Sequence, residues 1–284
     1  MEKNPTNVTV EERFSFDNQG LLLLRDVLDG SVRKALLDKV DELEARDYDD
    51  GQSTHYSAAK PTDDMPRPTS GLSMEAATKG RVDDHYIRLN GLPNLDPIFD
   101  QIIDHPRVLP YLREFMGEPQ LSNTWYIGKS TGPRFSGWHA ALDPSHYSCR
   151  NGVIRAKMIN TAWFLTDNGP EDGCLLAVPG SHKSNVQLMN LYTNYKGLAL
   201  PGSVRVTGRA GDVLLFTECT LHTGDEKTSP GVRRNLYYNF MHSSFSRLND
   251  NPRILRHACF PPHVRDRFTE TQKELTSWMR YVTC

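Results

Sequence analysis

The 284-residue sequence has no uninterrupted apolar run long enough to cross a bilayer, which argues against a membrane-spanning helix. It has almost no net charge: 33 basic against 35 acidic side chains leave −2. Without a basic field, nothing electrostatic favours a nucleic acid polymer or an anionic membrane as partner. Cysteine is scarce. The five present (Cys149, Cys174, Cys219, Cys259, Cys284) are scattered, odd in number and never spaced as CxxC. A disulfide framework is therefore not expected, and free thiols in a reducing, cytoplasmic setting are. Met1-Glu2-Lys3-Asn4-Pro5 lacks the charged-then-apolar pattern of a secretory signal. No repeat, low-complexity tract or linker divides the chain, so residues 1–284 are expected to form one domain.

What is present changes character along the chain. Asn18-Gln19-Gly20 predicts a turn before the short apolar strand at Leu21. Asp29-Gly30-Ser31 offers a cap for a helix over Val32–Arg46, with Leu36, Leu37, Val40 and Leu43 at helical spacing. Residues 47–80 are polar and aperiodic, and so long a loop suggests a lid. Asp96-Pro97 can start a helical stretch, which Pro106 and Pro110 break into pieces. After Glu118 the pattern becomes strands: Leu121–Lys129, Val153–Leu165, Cys174–Val178, Val204–Val206, Asp212–Phe216 and Arg233–Phe240. A helix is expected near Glu270–Tyr281. The fold expected is mainly β with flanking helices: a double-stranded β-helix, or cupin-like jelly roll.

The chemistry centres on Gly137-Trp138-His139-Ala140-Ala141-Leu142-Asp143. A non-haem Fe(II) site takes two His and one carboxylate on one face of the metal. On a strand, His and a carboxylate two residues on point the same way. Here that position is Ala141, which cannot bind a metal. A second histidine, His222, follows the apolar run Val213-Leu214-Leu215-Phe216. Eleven residues later come Arg233 and Arg234. A planar guanidinium in the same barrel mouth suits a carboxylate partner. Alternation sends Arg233 and Arg234 to opposite faces, so at most one reaches the pocket.

With Trp138-His139, Thr161-Ala162-Trp163-Phe164, Asp172-Gly173-Cys174, Pro179-Gly180-Ser181-His182, Gly211-Asp212, His222 and Arg233, the chain resembles the phytanoyl-CoA dioxygenase family of Fe(II)/2-oxoglutarate oxygenases from Phe14 to about Phe240. The resemblance implies that His139 and His222 bind iron, that Arg233 holds the distal carboxylate of 2-oxoglutarate, and that Trp163 lines the cosubstrate pocket. It also implies a cosubstrate contact from Arg88. The departure from the family pattern is Ala141.

Three readings of Ala141 stand open. In the first the vacancy is functional. Non-haem iron halogenases of this superfamily carry Ala or Gly there, and chloride would restore the lost ligand and its charge. Iron, 2-oxoglutarate, O2 and chloride would then halogenate an unactivated aliphatic carbon by hydrogen abstraction and halogen rebound. In the second, a turn at Pro144 folds Asp143 back as the third ligand, giving a hydroxylase; His146 is a weaker candidate. In the third the fold binds a small molecule without catalysis. The halogenase is ranked first and the hydroxylase second; the binding protein comes last, because a decayed site has no reason to keep His139, His222 and Arg233.

The substrate is expected to be a small polar molecule. If Trp163 faces the barrel interior, Arg155 and Lys157 share its face. With Arg134 and Arg150 they form a basic cluster suited to a phosphate or carboxylate, as on a nucleotide. Ion pairs at the barrel rim explain the cluster equally well. Trp125 and Trp278 are read as core aromatics, and His182 as a residue that fixes a turn.

Overall fold

The structure is a computed structural model that describes residues 8–45, 81–83, 85–133, 137–186, 200–244, 260 and 262–277. The loop read over 47–80, Arg134, Trp278 and the end of the helix expected to reach Tyr281 lie outside the described residues.

Helix α1 (Val10–Gln19) begins at Thr9, whose hydroxyl and Glu12 close a capping box. The sequence reading missed it for a physical reason: only Phe16 is buried along its length, so no apolar stripe marks it. It ends at Gly20, where φ is 75° and the N–H reaches the Phe16 carbonyl. Strand β1 (Leu21–Leu24) follows, then α2 (Gly30–Glu44), capped by Asp29 and burying Leu36, Val40 and Leu43. The Asp96 cap is present, but Pro97–Ile102 winds as a 3-10 helix. Short helices α3 (Leu92–Leu95) and α4 (Leu109–Met116) flank it, and Pro110 sits in the first turn of α4. Near the end of the described chain lie α5 (Pro262–Arg265) and α6 (Glu270–Leu275).

The strands are β2 (Arg81–Asp83), β3 (Tyr86–Asn90), β4 (Pro119–Lys129), β5 (Tyr147–Arg150), β6 (Val153–Ala156), β7 (Met158–Phe164), β8 (Leu175–Ala177), β9 (Val204–Val206), β10 (Val213–Thr217), β11 (His222–Gly224) and β12 (Arg233–His242). Seven form one sheet in the order β1-β10-β7-β12-β4-β3-β2. A second sheet runs β11-β8-β9, and β5 and β6 form a hairpin. Leu21, Ala162, Phe164, Leu214 and Phe216 of the large sheet pack with Ala177 and Val206 of the small one. The other face of the large sheet packs Ile159, Trp163, Leu165, Val213, Leu215 and Leu236 against Phe16, Leu36, Val40, Leu43 and Phe115. This is the expected mainly-β double-stranded β-helix, with helices on the outside of one sheet. Among the described residues no helix is long and apolar enough to cross a membrane.

Two expectations fail on strand phase. Trp163 pairs with Val213 and Leu236 and lies in the helix-facing core. Its Nε1–H donates to Thr161 Oγ1 at 2.9 Å, and its ring meets the edge of His105 at 5.1 Å. The bulky indole fills space under the helices, so the opposite residues, Asn160, Ala162 and Phe164, turn inward. The strand expected over Val153–Leu165 also breaks at Lys157, so Arg155 and Lys157 do not continue the inner face of β7. Arg155 is exposed and donates to the Ile154 carbonyl at 2.6 Å; Lys157 donates to Ser244 Oγ at 3.0 Å. With Arg150 exposed as well, the described members of the basic cluster are not assembled at the barrel interior.

Candidate metal and cosubstrate site

A cavity of about 600 Å³ opens between the sheets. Tyr86, Trp125, Phe216, Tyr237 and Trp138 form aromatic walls, and Arg88, His139, Ala141, Asn160, Glu218, His222 and Arg233 are among its other lining residues.

His222 opens β11, and His139 faces it across an isolated antiparallel bridge. Each donates its N–H to the other's carbonyl at 2.9 Å. Their rings lie 4.3 Å apart between centroids. The ring orientations are set by backbone acceptors: His139 Nδ1 lies 2.9 Å from the Gly137 carbonyl, and His222 Nδ1 lies 2.8 Å from the Thr220 carbonyl. A carbonyl only accepts, so both Nδ1 atoms carry the proton and both Nε2 lone pairs are left for a ligand. Burial pushes the His222 imidazole down to about 4. His139 is lowered by desolvation and by the neighbouring His222. Both rings are thus neutral at pH 7, the form that binds metal.

Ala141 lines the cavity and contributes a methyl group, as the sequence indicates. The chain is not a regular strand there, and Asp143 does not fold back. Its carboxylate caps the 3-10 turn Pro144–His146, accepting from the Ser145 N–H at 2.8 Å, and is 66% exposed. An Asx cap and Pro144 together aim it at solvent. His146 lies beside it at 3.5 Å. The expectation that Asp143 replaces the missing ligand is therefore corrected: neither residue lines the cavity.

The sequence reading overlooked Glu218. It follows β10, whose inward residues Leu214 and Phe216 continue by alternation to 218; this period-2 signal was available. Its side chain is buried at the cavity wall. The carboxylate accepts from Asn160 Nδ2, from the Ala141 N–H and, at 3.5 Å, from Asn239 Nδ2. Burial raises its proton affinity, and the Asn160 amide bonded to the carboxylate opposes that rise. Asn160, also overlooked, sits across from Asn239 on β12 and holds Glu218 by its amide. Among the described residues no three His, Cys, Asp or Glu side chains converge in a metal-holding arrangement.

Arg233 and Arg234 separate as alternation requires. Arg234 leaves the cavity for α2, meeting Asp41 at 2.7 Å and Glu44 at 3.3 Å. Arg233 is 4% exposed and lines the cavity; its Nη1 donates to the Gly173 carbonyl, and its buried Nε has no partner among the described residues. An unpaired buried guanidinium N–H invites an anionic acceptor. Arg88 stands over the Trp125 ring at 5.0 Å, and Trp125 stacks on Tyr237 at 5.3 Å. Two free imidazole nitrogens with a carboxylate nearby suit a divalent transition metal. The buried guanidinium suits a dicarboxylate such as 2-oxoglutarate.

Relatives share this architecture. The ectoine dioxygenase of Bordetella bronchiseptica is 26% identical over 204 residues, covering 61% of this chain and 62% of that protein. That of Halomonas elongata is 25% identical over 249 residues, covering 79% and 67%. This chain thus spans about three-fifths of the Bordetella protein's length. HygX from Streptomyces hygroscopicus, solved with nickel, 2-oxoglutarate and hygromycin B, superposes with a TM-score of 0.63 at 19% identity, over 83% of this chain and 88% of that one. EctD from S. alaskensis, solved with bound Fe, gives 0.58 at 20% identity over 86% and 80%. At these identities the superpositions establish the fold. The family model described as phytanoyl-CoA dioxygenase matches residues 16–235, and the chain belongs to that family.

Proposed function

We propose that the protein is an Fe(II)- and 2-oxoglutarate-dependent oxygenase that hydroxylates a C–H bond of a small polar substrate. The observation that carries this reading is the pairing, in one cavity, of two imidazoles presenting Nε2 with a buried guanidinium whose Nε has no partner among the described residues. When bound, iron and 2-oxoglutarate supply the activation of O2 that a C–H oxidation needs. His139 and His222 hold the metal. Arg233 takes the distal carboxylate of the cosubstrate. Arg88 and the aromatic walls, with Trp125 stacked on Tyr237, orient the substrate and keep bulk water away.

Hydroxylation is favoured over halogenation for two reasons. The sequence relatives of Bordetella bronchiseptica and Halomonas elongata are ectoine dioxygenases. The Glu218 carboxylate also already sits beside Ala141, where a halide would bring its charge. Halogenation keeps one supporting observation, the methyl group of Ala141 on the cavity wall.

The test is direct. Anaerobic protein given Fe(II) and 2-oxoglutarate should develop a metal-to-ligand absorption band. Oxygen and small polar candidates should then yield succinate and a hydroxylated product. A chloride-dependent shift of the band with a chlorinated product would establish halogenation instead. No band and no succinate would leave only the binding protein.

A further inference from the structure

We propose that Glu218 is the carboxylate ligand of the iron site, supplied from the β10–β11 connection in place of position 141; this rests on the iron-dependent reading above.

The first support is placement. Glu218 lines the same cavity as His139 and His222. The turn that carries it also carries His222, and is fixed by Thr220 N–H to the Thr217 carbonyl and Thr217 N–H to the Gly20 carbonyl, both 2.9 Å. Chain order is no obstacle, because the metal reads positions in space.

The second is charge. Glu218 is 5% exposed and forms no ion pair among the described residues. Among the described residues, amides alone hold its carboxylate: Asn160, Asn239 and the Ala141 backbone. A buried carboxylate calls for a cation. A divalent metal on the two imidazoles provides one.

The third is Ala141 itself. Its N–H donates to the Glu218 carboxylate, so any side chain at 141 starts beside that group. An aspartate there would set a second anion against the first, and alanine leaves room for one. The ligand set is then the usual two His and one carboxylate, with the carboxylate relocated. The carboxylate is turned to Asn160, so ligation requires it to rotate toward the two Nε2 atoms.

The test is calorimetric titration of Fe(II) under anaerobic conditions, with and without chloride. Glu218→Gln keeps the shape and the acceptor for Asn160. It should weaken Fe(II) by more than ~100-fold, beyond the ~10–100-fold cost of losing an outer partner. Ala141→Asp/Glu218→Gln, which moves the carboxylate to the family position, should recover most of the loss. Wild-type affinity should not respond to chloride. Thermal unfolding of each variant reports folding. If Glu218→Gln does not fold, Glu218→Asp, which keeps the charge but shortens the reach, should still weaken iron by at least ~10-fold. A loss below ~100-fold in Glu218→Gln, no recovery in the double variant, unchanged affinity in Glu218→Asp, or tighter wild-type binding with chloride would overturn the assignment. Wild-type protein that binds no Fe(II) would instead bring down the oxygenase reading and this assignment with it.

Discussion

The backbone N–H of Ala141 donates to the side-chain carboxylate of Glu218, and one residue on, the Leu142 N–H donates to the Glu218 carbonyl at 3.2 Å. The segment after His139 is thus docked onto the residue four before His222. A position that looks like an omission in the sequence is, in the fold, the neighbour of a buried acid.

Ala141→Asp and Ala141→Asn separate charge from size. Both add the same bulk, but only aspartate places an anion next to Glu218. In metal-free protein, Ala141→Asp should be less stable than Ala141→Asn by ~1–3 kcal/mol, read as the denaturant midpoint. Equal midpoints would mean that the Glu218 charge is not felt at 141.

Arg233 and Arg234 offer an internal comparison, because adjacent residues of β12 serve opposite faces of one sheet. Arg233→Lys keeps the charge but loses the planar fork. The 2-oxoglutarate dissociation constant, followed by the absorption band with Fe(II), should rise about 10- to 100-fold, the ~1.5–3 kcal/mol of a hydrogen bond to a charged group. Arg234→Ala should leave it unchanged and cost ~1 kcal/mol of stability, since its partner Asp41 is half exposed. A cosubstrate effect from Arg234 rather than Arg233 would reverse the assigned faces.

Strand phase also decides how much of the molecule was legible in its sequence. The jelly roll, the Asp29 cap, the outer bounds of most strands and the Arg233/Arg234 split all follow from local rules of period and capping. Trp163 does not, because alternation fixes which residues share a face but not which face turns inward. That choice is made by α1, α2 and α4 packing on the large sheet, a tertiary fact. Glu218 was hidden because the local His-x-Ala pattern drew the search for a carboxylate forward to Asp143, whereas the fold brings one from 77 positions downstream of Ala141. Trp163→Phe tests the placement. It should cost ~1–3 kcal/mol of stability, through lost packing and the lost bond to Thr161, with 2-oxoglutarate affinity unchanged. A selective loss of cosubstrate binding would return Trp163 to the pocket.

His182 fixes a turn, and the turn braces the site. Its Nε2–H donates to the Asp17 carbonyl at 2.9 Å, and its ring meets the edge of Tyr147 at 4.5 Å. The adjacent Ser181 accepts the Leu221 N–H at 2.8 Å, one residue before His222. Its buried Nδ1 has no partner among the described residues and lies 2.5 Å from where a side chain at Gly20 would begin. A proton on Nδ1 would have no acceptor, and burial lowers the His182 imidazole from 6.5 to about 4. The unfolded chain therefore takes up this proton first as pH falls. The stability that neutral His182 provides is complete above about 6.5 and is lost progressively down to about 4. His182→Gln can still donate to the Asp17 carbonyl but cannot titrate. Urea unfolding of metal-free protein across that window should show wild type losing stability relative to His182→Gln as the pH is lowered. Parallel curves would mean that His182 is protonated in the folded state without penalty, and that this turn is not what ties the β10–β11 connection to low-pH instability.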